Sequence, residues 1–259
     1  MSALESDFLN RAAPPGSMRY FALLYASAKQ RESLTALFVI DAEIRASTLA
    51  AHEVAHTRLQ WWRAEIDRLV NRNAQHPATQ TLQAAMPAAE FSILHELLMA
   101  ADMDMAHMTY NTGPELNAYL HRSGGAIFEL ASRSTDGNAR RAGALIRRVE
   151  TLRDLTIDSR NGRVYWPLDE LENRKISIEQ LARGQSTDAI RRLLATEIAR
   201  LRAEFDVLQI LYRPLIVLAK LHVQLLNRIE RANCDVFSQR HELGPWKKSW
   251  TAWRAARRS

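Results

Sequence analysis

The stretch LRDLTIDSRNGRVYWPLDEL, Leu152 to Leu171, decides how the rest of the chain is read. Asp154 and Asp158 stand four residues apart on a predicted helix, so both project from one face, and Glu150 extends that edge by another turn. Asn161-Gly162 is the kind of pair that closes a helix, and Pro167 keeps RVYWPLDEL in a loop. Carboxylates in a row can hold Mg²⁺, a cation that takes oxygen ligands and shares them with substrate phosphates. Acid pairs at this spacing are commoner, though, on plain solvated helix faces. The residues around them have to decide.

Outward from this stretch the pattern is helical. From Ala28 to about Ala50 apolar residues recur at Leu34, Leu37, Phe38 and Ile44, a stripe that ends at Thr48. A second helix is expected from about Glu53 to Arg72, with Leu59, Trp62, Ile66 and Leu69 on one face, and a third from Glu90 to about Met105. Gly113-Pro114 precedes a helix from Glu115 to about Ser134; Asp136-Gly137 breaks the chain, and the next helix runs to about Ser159. Others follow from Thr187 to about Tyr212, from Pro214 to Ala232, and after Gly244-Pro245. No alternating run reads as a strand, and no repeat or linker divides the chain. The expectation is an all-α single domain over residues 1–259, with 245–259 a basic, Trp-rich C-terminal helix.

Composition agrees with long helices. Of 259 residues 47% are hydrophobic, while nine Gly and eight Pro make the chain poor in turns. The single cysteine, Cys234, allows no intrachain disulfide and fits a reducing compartment. No basic segment followed by an apolar run marks a secretory signal. The longest apolar candidate, LYRPLIVLAKLHVQLL, is interrupted by Arg213, Lys220 and His222, and falls short of a membrane span. A cytoplasmic protein is expected, at most peripheral to the inner membrane. A net charge of +6 suits anionic partners, and the dense basic segment is the C-terminal WKKSWTAWRAARRS. No recognition motif for nucleic acid is visible, so none is expected as a partner.

Arg153-Asp154, Asp158, Arg160, Gly162-Arg163, Val164-Tyr165 and Pro167 together resemble the second aspartate-rich motif of the squalene/phytoene synthase family. Further similarity lies in KQRESLTALFVIDAEI, LNAYLHRSGGAIFELA and PLIVLAKLHVQLL, so the resemblance covers most of the chain. It implies the isoprenoid synthase fold, a helical bundle around a central cavity. It also implies Mg²⁺ ligands at Asp154 and Asp158, a substrate site at Arg153, Arg163 and Tyr165, and a prenyl diphosphate or another lipid-like ligand.

The chain departs from that pattern. Ile157 stands where the family usually has Glu, and Arg147 and Glu150 where it commonly has Gln and Asn. The first aspartate-rich motif should fall in FVIDAEIRASTL, yet its aspartates align with Arg45, Ala46 and Leu49, and its preceding arginine with Ala42. The acids between Lys29 and Ala50 are Glu32, Asp41 and Glu43, and no two of them are three, four or seven apart. Ionising a prenyl diphosphate needs metal clamping of a highly charged leaving group, for which one thinned cluster is a poor basis. The run from Ile40 to Arg63, with RLQWWRAEI, is similar to the divergent branch related to a mitochondrial complex I assembly factor. Two readings result. One is a non-catalytic binding or assembly factor with a protein partner; the other is a divergent Mg²⁺-dependent prenyltransferase of squalene/phytoene-type biosynthesis. With the first motif missing, Arg45 is expected to replace the lost cation and pair across the cavity with Asp154 or Asp158.

Three other patterns invite a reading. His52 and His56 are four apart, as in helical zinc pairs, but no third ligand follows. Met99, Met103, Met105 and Met108 are expected to fill the core. Trp246, Trp250 and Trp253 are spaced by four and three and so share a face, with Lys247, Lys248, Arg254, Arg257 and Arg258 around them. That is the composition of a helix lying on an anionic membrane surface.

Overall fold

Residues 6–257 are described by a computed structural model, and every regular element among them is helical. In chain order the α-helices are α1 (Ser6–Ala12), α2 (Met18–Leu24), α3 (Ala28–Ser47), α4 (His52–Val70), α5 (Pro77–Ala85), α6 (His95–Met105), α7 (Gly113–Leu120) and α8 (Ala126–Ser132). They continue as α9 (Asn138–Arg153), α10 (Leu155–Arg160), α11 (Leu168–Asn173), α12 (Ile178–Ala182), α13 (Asp188–Asp206), α14 (Arg213–Arg231) and α15 (Pro245–Arg257). The last two residues of the expected C-terminal helix, Arg258 among them, lie outside the described residues.

Helix α3 organises the bundle. It starts at a capping box, in which the Ser27 hydroxyl accepts from the Gln30 amide and the Gln30 side chain accepts from the Ser27 amide. From Ser33 to Asp41 every residue is buried. A helix closed in on all sides must sit inside the domain, and α1, α2, α4, α5, α6 and α8 surround it. Helix α14 is the second pillar, packing against α2, α9, α13 and α15. Its face Leu215, Leu218, Leu225 and Ile229 joins the same core as Leu34, Leu37 and Phe38 of α3.

The expected helices are present, except that the one expected to reach Tyr212 ends at Asp206, and there are informative interruptions. The stretch from Glu115 to Ser134 is two helices separated by a π-helical turn, His121–Gly125. The cause is a crossing with α9: a Cβ on Gly124 would lie 2.6 Å from the Gly143 carbonyl oxygen, and one on Gly143 2.5 Å from that of Gly124. Two backbones touch there, and the wider turn accommodates the contact. The helix expected to reach Ser159 breaks at Asp154 (φ −96°, ψ 10°), where α9 gives way to α10. Short helices α1, α2, α5, α11 and α12 were not expected. Helix α5 does carry a start signal, with Pro77 at its first position and the His76 side chain accepting from the Ala78 amide. Trp62 is buried as expected, and Trp61 rests against His76 at the start of α5. Met103 and Met105 pack against the core, but Met99 and Met108 are exposed, contrary to the expected filling role.

Candidate functional site

Helices α2, α3, α8, α9 and α14, with the start of α15, enclose a cavity of about 510 Å³. Part of its wall is apolar, formed by Phe38, Ile127, Phe128, Ile146, Leu218 and Leu243. The rest carries Arg19, Arg45, Arg147, Arg153, Arg240 and Lys248, and among the described residues the lining carboxylates are Glu150 and Glu242. The cavity therefore combines a greasy wall with a positive excess.

Behind this lining the charges form a network. Arg45 on α3 donates from Nε to Asp41 Oδ1 at 2.6 Å, one turn back on its own helix, and from Nη2 to the Ser123 carbonyl at 2.8 Å. Its Nη1 lies 3.9 Å from Glu150 Oε2 on α9. Arg19 on α2 closes the other oxygen of Asp41. Burial works to protonate Asp41, yet Arg45 and Arg19 together outweigh it and hold the carboxyl below its ordinary value. Glu150 is held low in the same way, burial being outweighed by Arg45, Arg19, Arg147 and His222. Burial depresses His222 despite Glu150 nearby, and its Nδ1 donates to the Leu218 carbonyl at 2.8 Å. Arg147 is less well met: Nη1 lies 3.5 Å from Glu150, Nη2 donates to the Tyr119 hydroxyl at 3.2 Å, and Nε is buried without a partner.

The second carboxylate pair is treated asymmetrically. Asp154 accepts from Arg153 Nε at 2.9 Å and from Arg240 Nε at 2.7 Å, and these partners overcome burial to hold it low. Among the described residues Asp158 has no ion-pair partner. Burial pushes it up to about 6, with Arg147 opposing and Asp154 adding to the rise. Asp158 does not line the cavity. Among the described residues no group of three His, Cys, Asp or Glu side chains is placed to hold a metal. Asp41, Glu150 and Asp154 each have guanidinium groups where a cation's ligand oxygens would need to be free. As arranged, this donor set does not fit a divalent cation.

The residues singled out in the sequence separate accordingly. Arg153 lines the cavity, but Arg163 does not. The Arg163 guanidinium donates instead to the Thr48 carbonyl at 2.9 Å, tying the loop after α10 to the end of α3. Tyr165 is buried away from the cavity, stacked on Tyr119 with ring centroids 5.2 Å apart and donating to Asp104 at 2.7 Å. Arg45 does enter the cavity, but its partners are Asp41 and Glu150, and the expected pairing with Asp154 or Asp158 is corrected. The reason is distance along the helix: Asp41 is one turn away and needs no crossing of the cavity. His56 hydrogen-bonds Gln60 on an exposed face. Arg19 and Arg240 were missed. Asp41 and Asp154, which they bind, lie 22 and 86 residues away, and the one local partner, Glu242 beside Arg240, does not point at the cavity by sequence.

On α15, Trp246, Trp250 and Trp253 are exposed, and Ala252 and Ala255 make the buried contact. Lys247 is exposed beside them. Lys248 turns inward, donating from Nζ to the Gly16 carbonyl at 2.7 Å, so it leaves the tryptophan face to which its position had assigned it.

An all-helical bundle closed around a central cavity is the architecture of the isoprenoid synthase-like class, and solved structures agree. A dehydrosqualene synthase in complex with ligand superposes with a TM-score of 0.85 at 12% identity, covering 98% of this chain and 95% of that one. Squalene synthase HpnC from Alicyclobacillus acidocaldarius gives 0.72 at 19%, covering 88% and 94%. These likenesses establish the fold. The family description Squalene/phytoene synthase matches residues 13–254, and the chain belongs to that family. A phytoene synthase from Arthrospira platensis is 26% identical over 221 residues, 73% of this chain and 71% of its own. Phytoene synthase 2 of Oryza sativa subsp. japonica is 35% identical over 105 residues, 38% of this chain and 26% of its own length. Among the described residues no helix is long and apolar enough to cross a membrane.

Proposed function

We propose that the protein binds an amphiphile of the prenyl diphosphate type, an anionic head on an apolar chain, without Mg²⁺, and serves as a binding or assembly factor rather than as a synthase. The observation that carries this is the capture of Asp41, Glu150 and Asp154 by arginines at the cavity. Arginine is a permanent cation with a planar fork of donors suited to phosphate. Arg147, with its Nε unpartnered, is the guanidinium with most to gain from a ligand oxygen. A role like that of the complex I assembly branch rests on the similarity of Ile40–Arg63 and on the departure from the first aspartate-rich motif.

A specific observation favours the other reading, a Mg²⁺-dependent prenyltransferase of squalene/phytoene-type biosynthesis: curated relatives are named phytoene synthases. In that reading Asp154 and Asp158 hold the metal, and Arg240 must swing away from Asp154. Calorimetric titration of farnesyl diphosphate separates the two. The expected result is binding that is unchanged by EDTA, unchanged in the Asp154→Ala, Asp158→Ala variant, and weakened about tenfold or more in Arg147→Gln through loss of a charge-assisted hydrogen bond. Binding that appears only with Mg²⁺ and vanishes in the double aspartate variant overturns the proposal and restores the catalytic reading.

A further inference from the structure

Away from the cavity, α15 presents a face that the bundle does not use. Small residues, Ala252 and Ala255, bury against α14 and α2, while the large aromatic side chains point outward. This inverts the usual economy of an amphipathic helix, in which the bulky apolar residues are the ones buried. Trp246 is 89% exposed and Trp250 58% exposed, and the rings of Trp250 and Trp253 lie 4.9 Å apart.

The exposure continues beyond the helix. Between α15, α14 and the segment joining α13 to α14 runs a groove of about 630 Å³, lined by Leu208, Ile210, Leu211, Val223 and Trp250. Leu211, one of its lining residues, is 91% exposed. Three cations, Lys220, Lys247 and Arg254, line the groove and are exposed, and among the described residues no Asp or Glu lines it. Helix α15 itself contains no acid at all. The contrast with the cavity network, where every arginine meets an acid or a carbonyl, marks these charges as directed at something outside the chain.

We infer that this face, formed by α15 and the α13–α14 connection, docks on an anionic lipid bilayer. Tryptophan settles at the depth of lipid headgroups, because its ring is apolar and its N–H polar. Leu211 and the groove's aliphatic side chains reach the acyl boundary, and Lys220, Lys247 and Arg254 meet the phosphates. The combination is complementary to a negatively charged, laterally adaptable surface. The inference goes beyond the ligand reading and holds whether or not the cavity binds without metal.

Co-sedimentation of the full chain with phosphatidylcholine vesicles, with and without phosphatidylglycerol, tests it. The chain is expected to sediment with the anionic vesicles, with a blue shift of its tryptophan emission. Lys220→Gln, Lys247→Gln and Arg254→Gln combined should weaken that binding roughly a hundredfold, each basic side chain contributing about fivefold. Trp246→Ser, Trp250→Ser and Trp253→Ser combined should abolish the emission shift; all three positions are exposed, and circular dichroism checks that each variant is folded. Failure to sediment, sedimentation unaffected by either set of substitutions, or self-association of the chain through this face in place of vesicle binding overturns the inference.

Discussion

Arg147 and Arg148 are neighbours on α9 and serve opposite ends. Arg148 turns away from the cavity, donating to Glu197 on α13 at 2.6 Å and to the Tyr165 carbonyl, with its guanidinium 4.3 Å over the Trp166 ring. Glu197 is completed by Arg200 at 2.7 Å. That cluster is a rivet: it fixes the loop after α10 to the bundle, and each group has its partner. Arg147 faces the cavity with long contacts and an idle Nε. A buried charge fully met by its own chain holds structure together; one incompletely met has capacity left for a ligand. The two residues differ in sequence position by one and in role by which side of α9 they occupy.

That contrast can be broken experimentally. The largest effect is expected from Arg148→Met, which leaves Glu197 facing a single partner in the interior; urea unfolding should show a loss of about 3–5 kcal/mol. Acid should act on the same rivet. Burial opposes the charge on Glu197, but Arg148 and Arg200 hold its carboxyl down to about 2, against 4.5 ordinarily. Its folded value is the lower one, so its contribution is complete above pH 4.5 and drains away as pH falls towards 2, by about 3 kcal/mol in total. Denaturant titrations across that range in the parent and in Glu197→Gln should converge at the acid end. Next in size is Gly143→Ala, one turn before Arg147 on the same side of α9, where the added carbon meets a backbone oxygen that cannot step aside; a loss of about 1–3 kcal/mol is expected. Smallest is Arg147→Gln, whose cost in stability should stay near 1 kcal/mol while ligand affinity falls more steeply. If Arg147→Gln proved as destabilising as Arg148→Met, the division between rivet and ligand group would be lost.

The sequence made the long helices readable because their apolar residues recur with the helical period. Leu34, Leu37, Phe38 and Ile44 are all buried on α3, as the stripe requires. The motif from Leu152 to Leu171 also pointed to the right family. What it could not convey was how the motif's side chains are shared out. Asp154 is bound by an arginine 86 residues away, and Arg163 leaves for Thr48, 115 residues away, choices set by packing and invisible to local pattern. The Asp41–Arg45 contact was legible, since acid and base four apart on a helix is a known pairing, and it takes precedence over any partner across the cavity. Short helices such as α11 and α12, of six and five residues, are too brief to show a period.

The π-helical turn at His121–Gly125 has a consequence for how this cavity could be altered. It takes up one surplus residue within a single wide turn, so α7 and α8 keep nearly the phase they would have in a continuous helix one residue shorter. Removing a residue there would restore the ordinary 3.6-residue winding and leave Ile127 and Phe128 on the cavity wall. Tightening the turn at its present length would instead rotate α8 by about 100° relative to α7 and carry both side chains off that wall. The lining of the chamber thus depends on the winding of one turn as well as on the residues that face it.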